Sequence, residues 1–263
     1  MLRPSGLSRN PFVPVGGFEE PGSLGPHDVH VWCIPLDVDA AAVNRLVRSL
    51  SIDERTRAQR FRAERDAHHY VAAHGALRRL LARYMNERED RIEFRYGASG
   101  KPAVERPVGA TRIRFNMSHS GSIALIALCA RAEIGIDVEQ VRDISDAAGI
   151  VHTFFTPDEA QRWRALPASE RTQAFYDGWT RKEALVKAVG DGLSMALDSF
   201  EVPLNPGESG TVTLPRQGAL AWSILDVSPS PGYSAALAIP AVPWNVHCRR
   251  ASTSWPLVIS GGP

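Results

Sequence analysis

The stretch GIDVEQVRD, from Gly135 to Asp143, sets two acids into an otherwise apolar strand. Successive side chains of an extended chain point to opposite faces, so Ile136 and Val138 share one face and Asp137 and Glu139 the other. The first face belongs to a core. The second needs a counter-charge, because a carboxylate taken out of water is costly unless a cation meets it.

Outward from this strand the chain reads as two similar runs. Before it come a strand at Val29–Leu36, a helix near Ala40–Leu50, a capping-box helix opening at Ser51 with Glu54, and an amphipathic helix starting at Glu64. Strand-like RIEFRY, a turn at Ser99–Pro102, strand TRIRFNM, a turn at SHSGS (Ser118–Ser122) and strand IALIALCA follow. After it, Thr156, Pro157 and Glu159 open a second capped helix, a long helix runs to Gly190, and four strands end at YSAALAIP. The pattern predicts an α/β (α+β) protein of two similar halves, 29–131 and 132–241. Residues 1–28 read as a flexible arm and 242–263 as a loose tail.

The chain has 263 residues, 44% of them hydrophobic, and 30 Lys and Arg against 29 Asp and Glu. This near balance gives no global field for a nucleic-acid or membrane partner. The 3 cysteines lack paired metal-ligand spacing, and no segment approaches the roughly 20 apolar residues of a membrane span. A cytoplasmic protein is expected.

A third acid stands in WTRKEALVK (Trp179–Lys187), where Glu183 and Lys187 are one helical turn apart. Taken alone they are an ordinary surface ion pair. With Asp137 and Glu139, Glu183 completes three oxygen donors from a strand and a helix, a set suited to Mg²⁺ and to phosphate transfer. His119, in the SHS turn, can bind an anion, act as an acid or base, or merely tie the turn. Lys101 reads as a solvated turn lysine, and Arg55, Arg57, Arg60, Arg62 and Arg65 as a charged helix face or an anion holder. His68, His69 and His74 lack the spacing that aligns two metal ligands on a helix. There is no GxxxxGK[ST] loop and no GxSxG elbow.

IGIDVE (Ile134–Glu139) and WTRKEALVK, with GKP, FNMSHSG, FFTPDEA and GDGLSMALDSF, resemble the Sfp-type 4′-phosphopantetheinyl transferase family from about Val29 to Ile239. The resemblance implies two α/β halves related by a pseudo-twofold, in a monomer. It also implies transfer of the phosphopantetheine arm of coenzyme A to a serine of an apo acyl or peptidyl carrier protein. Mg²⁺, or Mn²⁺ in its place, would assist, and adenosine 3′,5′-bisphosphate would be released.

Carried onto this sequence, the family assigns Asp137, Glu139 and Glu183 to the metal. Glu183 is also the candidate base and Lys187 the phosphate contact; His119 with Ser118, Lys101 and Arg57 would hold the nucleotide. Two positions depart from the family, Glu54 for a lysine and Tyr70 for a threonine. Ile144, Ile150, Val151 and Phe154 offer either a carrier-docking patch or their own helix's core face. Polyketide and nonribosomal peptide carriers are the expected partners. The competing classes are an Mg²⁺-dependent phosphohydrolase acting on a coenzyme A-like pyrophosphate and a non-catalytic coenzyme A or carrier-binding relative.

Overall fold

The computed structural model describes residues 11–16, 22–97, 100–104, 113–190, 195–214 and 220–256. Ser99 of the predicted turn, the first two residues of TRIRFNM, residues 191–194 and the chain ends at 1–10 and 257–263 lie outside the described residues.

In the first half, β2 (Asp28–Pro35) leads through α1 (Ala40–Leu46), α2 (Ile52–Ala58) and α3 (Glu64–Met85) to a small hairpin, β3 (Phe94–Tyr96) and β4 (Pro102–Val104). The hairpin β5 (Arg114–Ser120) and β6 (Ile123–Cys129) completes it. The second half repeats the plan. There β7 (Gly135–Gln140) leads through α4 (Ala147–Phe154), α5 (Pro157–Ala165) and α6 (Ala168–Val189) to β8 (Gly210–Leu214), β9 (Leu220–Asp226) and β10 (Tyr233–Pro240).

In each half the first strand pairs antiparallel with the last strand of the hairpin, giving the orders β2-β6-β5 and β7-β10-β9. The long helices α3 and α6 are both 22 residues. The likeness reaches side chains. Ser51 with Glu54, and Thr156 with Glu159, each close a full capping box. In each case the capping glutamate also takes a buried cation from the following long helix: Arg78 Nε lies 2.7 Å from Glu54, and Lys182 Nζ 2.7 Å from Glu159. Removing one partner of such a pair costs about 3–5 kcal/mol, because the other charge stays buried. Thus each short helix is locked to its long neighbour by one residue.

Alternate residues of the first sheet divide between two cores. Trp32, Ile34, Ile126 and Leu128 pack under α3, while Val29, Val31, Cys33, Leu125 and Ala127 meet Ile136, Val138, Leu237 and Ile239 of the second sheet. The opposite face of β7 turns to α6. Gly135 is required there, since a Cβ on it would stand 2.0 Å from the Ala184 carbonyl oxygen and 2.4 Å from the Ala188 nitrogen.

Two sequence expectations are corrected. The segment after Val242 is not a loose tail: Asn245–Ala251 forms β11, inserted between β2 and β1 (Val13–Val15) and parallel to both. The predicted arm likewise supplies β1 and the buried Phe12. The periodicity was concealed because arginines do the packing: Arg249 lies over Trp32 and Arg250 over Phe12, with centroid distances of 5.3 and 5.8 Å. Beside them Asp28, His30 and His247 gather as cation-ligand types. However, the nitrogens of His30 and Arg249 are 3.0 Å apart, and burial, Arg249 and His247 hold His30 at about 4. The group is a hydrogen-bonded strand junction.

The second correction concerns SHS. Ser118, His119 and Ser120 are the last residues of β5, paired with Leu125, Ala124 and Ile123, and the turn starts only at Gly121, with φ of 57°. Alternation therefore sends Ser118 and Ser120 to one side and His119 to the other.

Candidate active site

The site lies where the edge strand of one sheet meets the edge strand of the other. Side chains of β5 join β5 to β7. Asn116 Oδ1 accepts the Ile136 N–H at 2.9 Å, Ser118 Oγ donates to Asp137 Oδ1 at 2.8 Å, and Ser120 Oγ donates to Glu139 Oε2 at 2.6 Å. Ser120 Oγ also accepts the Gln140 N–H at 3.1 Å. Both strand acids are thereby oriented from the opposite half of the molecule.

Helix α6 brings the rest. Its close approach at Gly135 places Lys187 Nζ 2.6 Å from Asp137 Oδ1 and 3.2 Å from Ser118 Oγ. Lys187 thus pairs across the seam with Asp137. Asp137 is 3% exposed, and its second oxygen, Oδ2, is buried without a hydrogen-bond partner. Burial, followed by the charges of Asp137 and Glu139, raises the Glu183 carboxyl above its ordinary range. Burial also raises Glu139, with Asp137 adding to the effect against the Ser120 hydrogen bond. Asp137, Glu139 and Glu183, whose charges act on one another and one of which keeps an orphaned oxygen, are hard oxygen donors of the kind that suit a divalent cation such as Mg²⁺.

On the other face of β5, His119 opens to a cavity of about 560 Å³ lined by Phe61, Arg65, His69, Gln140 and Arg142 among others. The walls still desolvate its ring. Burial first, and then His74, Lys187, His69 and Arg57, hold the imidazole below its ordinary range. Arg57 is exposed, with its guanidinium carbon 6.0 Å from the Tyr70 ring centroid. A second, largely apolar cavity of about 580 Å³ runs past Glu183 and Lys187 between Pro102, Met117, Val186, Met195, Leu197 and Phe154.

Lys101 is not a solvated turn lysine. It borders that second cavity, but its ammonium donates to Glu133 Oε2 at 2.9 Å and to the Ile134 and Ala188 carbonyls at 3.1 Å each. An ammonium has three donors, and all three are used to tie the hairpin turn to β7 and α6. Glu54, the departure from the family pattern, is likewise structural: it is 4% exposed and bonded to Ser51, His74 and Arg78. In the predicted docking patch Val151 is fully buried core, whereas Phe154 is 39% exposed beside Trp179. Asn116 and Ser120 escape a reading that ends the strand at Met117. Extending its alternation by three residues would have put both with Ser118.

Fold and site together define a protein of two like α/β halves with acids and a lysine gathered at the seam between them. The comparisons give its class. Residues 133–238 match the model of the 4′-phosphopantetheinyl transferase superfamily, and residues 38–131 match that of the 4′-phosphopantetheinyl transferase N-terminal region. The chain is 36% identical to 4′-phosphopantetheinyl transferase HetI of Nostoc sp. strain PCC 7120 over 217 residues, 82% of this chain and 90% of that protein. It is 31% identical to 4′-phosphopantetheinyl transferase Sfp of Bacillus subtilis strain 168 over 193 residues, 73% of this chain and 83% of the relative. A third relative, 4′-phosphopantetheinyl transferase psf-1 of Bacillus pumilus, is 32% identical over 187 residues, 70% of this chain and 78% of its own length. The chain belongs to the 4′-phosphopantetheinyl transferase superfamily and is a transferase of that group.

Proposed function

We propose that this protein transfers the 4′-phosphopantetheine arm of coenzyme A to a serine of an apo acyl or peptidyl carrier protein of polyketide or nonribosomal peptide synthesis. The observation that carries the reading is the seam itself: Lys187 pairs with Asp137, whose second oxygen is buried and unpartnered, and the charges of Asp137 and Glu139 act on Glu183.

The carrier serine oxygen forms a bond to the β-phosphorus of the pyrophosphate, and the bond from that phosphorus to the bridging oxygen breaks. Adenosine 3′,5′-bisphosphate leaves. Mg²⁺, or Mn²⁺, held by Asp137, Glu139 and Glu183 would neutralise charge on the phosphates. Glu183, whose carboxyl is raised, is the base suited to take the serine proton. Lys187 offers a cation to the departing phosphate, and His119 and Arg57 supply positive charge for the adenosine 3′-phosphate. Because both halves of the cleft come from one chain, the active unit is a monomer. Phe154, exposed at the mouth of the apolar cavity, faces the incoming carrier.

The test is intact-protein mass spectrometry of an apo carrier incubated with this protein, coenzyme A and Mg²⁺, beside an EDTA control. A gain of one phosphopantetheinyl group that EDTA abolishes supports the reading. No gain across acyl and peptidyl carriers rejects it.

A further inference from the structure

Helix α3 brings more to His119 than this reading uses. Tyr70 and His74 are four residues apart and stack, with ring centroids 4.0 Å apart and planes inclined by 29°. Tyr70 is only 5% exposed, so it cannot swing away, and it fixes the plane of the His74 ring. One edge of that ring is fixed too: Nδ1 lies 3.1 Å from Glu54 Oε1. Glu54 is itself held through its other oxygen by Arg78 and by the Ser51 N–H. Burial alone would raise the Glu54 carboxyl, but these hydrogen bonds and charges bring it to about 2. It is therefore an anion whose charge Arg78 already balances.

Tyr70, stacked on His74, also lies 5.4 Å from the Phe61 ring and 6.0 Å from the Arg57 guanidinium carbon, and Phe61 lines the cavity onto which His119 opens. His69 is held in turn by Asp37 at 2.8 Å. Groups that can carry positive charge thus converge from α2, α3 and β5. The acids nearby are Glu54, turned to Arg78 as well as His74, Asp37, turned to His69, and Asp66 on the cavity wall. With Arg65 and Arg142 also on that wall, basic side chains outnumber acids and favour an anion.

We propose that His74, held by Glu54 and Tyr70, is a specificity-determining residue that donates to the adenosine 3′-phosphate alongside His119 and Arg57. The inference rests on the coenzyme A reading above. In the complex the ring carries a proton on both nitrogens, Nδ1–H donating to Glu54 and Nε2–H to a phosphate oxygen. Glu54, bound to Arg78 and Ser51, orients the imidazole without repelling the ligand.

The test compares coenzyme A with dephospho-coenzyme A, which lacks only the 3′-phosphate. Binding is measured by calorimetry on the full chain with Mg²⁺ present and no carrier protein, so that both ligands meet the same metal acids. His74→Ala is expected to weaken coenzyme A by roughly tenfold or more, the loss of one charge-assisted hydrogen bond, with dephospho-coenzyme A unchanged. His74→Lys, which restores a cation, should recover part of the preference. Melting curves of both variants report whether they fold. Equal weakening of both ligands, or of neither, overturns the role of His74. Failure of the wild type to bind either ligand overturns the coenzyme A reading beneath it.

Discussion

Ser118 Oγ stands between Asp137 and Lys187, donating to the carboxylate at 2.8 Å and accepting from the ammonium at 3.2 Å. Because Lys187 also reaches Asp137 directly, one oxygen of Asp137 is fully used and the other, Oδ2, is left over. A buried oxygen without a partner is tolerated where a ligand completes it.

Asp137→Asn keeps the shape but removes the charge that faces Lys187 and that would hold the proposed metal. Transfer should fall by roughly a hundredfold or more, the scale on which loss of one electrostatic contact in a water-poor site is felt. Glu183→Ala should abolish transfer, with the melting curve retained in both variants. Mn²⁺ binding, followed by electron paramagnetic resonance, checks the cause independently of turnover. Activity near wild type in either variant would remove the metal assignment.

Ser120 gives a subtler case. It bridges Glu139 Oε2 and the Gln140 N–H, so it fixes a carboxylate rotamer without itself presenting a charge. Ser120→Ala should raise the Mg²⁺ concentration for half-maximal activity by roughly tenfold, as loss of an outer partner does at other metal sites. The rate at saturating Mg²⁺ should change far less. Ser120→Thr should restore the wild-type Mg²⁺ dependence. A uniform fall in rate at all Mg²⁺ concentrations would assign Ser120 to packing instead.

The difference between legible and illegible features has a physical basis. The acids of β7, the capping boxes and the long helices were readable because each rests on contacts a few residues apart or on strict alternation. The place of β11 was not, since His247, Arg249 and Arg250 mark a strand whose cover is supplied by Trp32, Tyr84 and Phe12 from distant sequence. The bonding of Lys101 was hidden for the same reason. Its three acceptors lie 32, 33 and 87 residues away, and no local pattern announces a backbone carbonyl.

Lys101 itself yields a discriminating experiment. With its donors spent on Glu133, Ile134 and Ala188, Lys101→Met should lower thermal stability while leaving coenzyme A affinity within the range of the wild type. Removing an ammonium that satisfies buried acceptors costs on the order of 1–3 kcal/mol. A large loss of coenzyme A affinity in a variant that melts like the wild type would instead return Lys101 to the ligand.

Glu54 provides the pH test, and its sign follows from the direction of its shift. The carboxyl is depressed from 4.5 to about 2 in the folded chain, so the unfolded chain binds its proton first as pH falls. The stability that Glu54 contributes is therefore complete above about pH 4.5 and is lost as pH falls toward 2. Glu54→Gln keeps an acceptor for the Ser51 N–H but leaves Arg78 buried without its counter-charge. At neutral pH the variant should be less stable by on the order of 3 kcal/mol, from urea unfolding. The gap should narrow steadily once the pH drops below about 4.5, because wild-type Glu54 is then losing the same charge. A gap that stays constant down to pH 3 would show that the side chain acts through its shape and cap alone. The pair Glu159–Lys182, which repeats this geometry in the second half, would then have to be read in the same way.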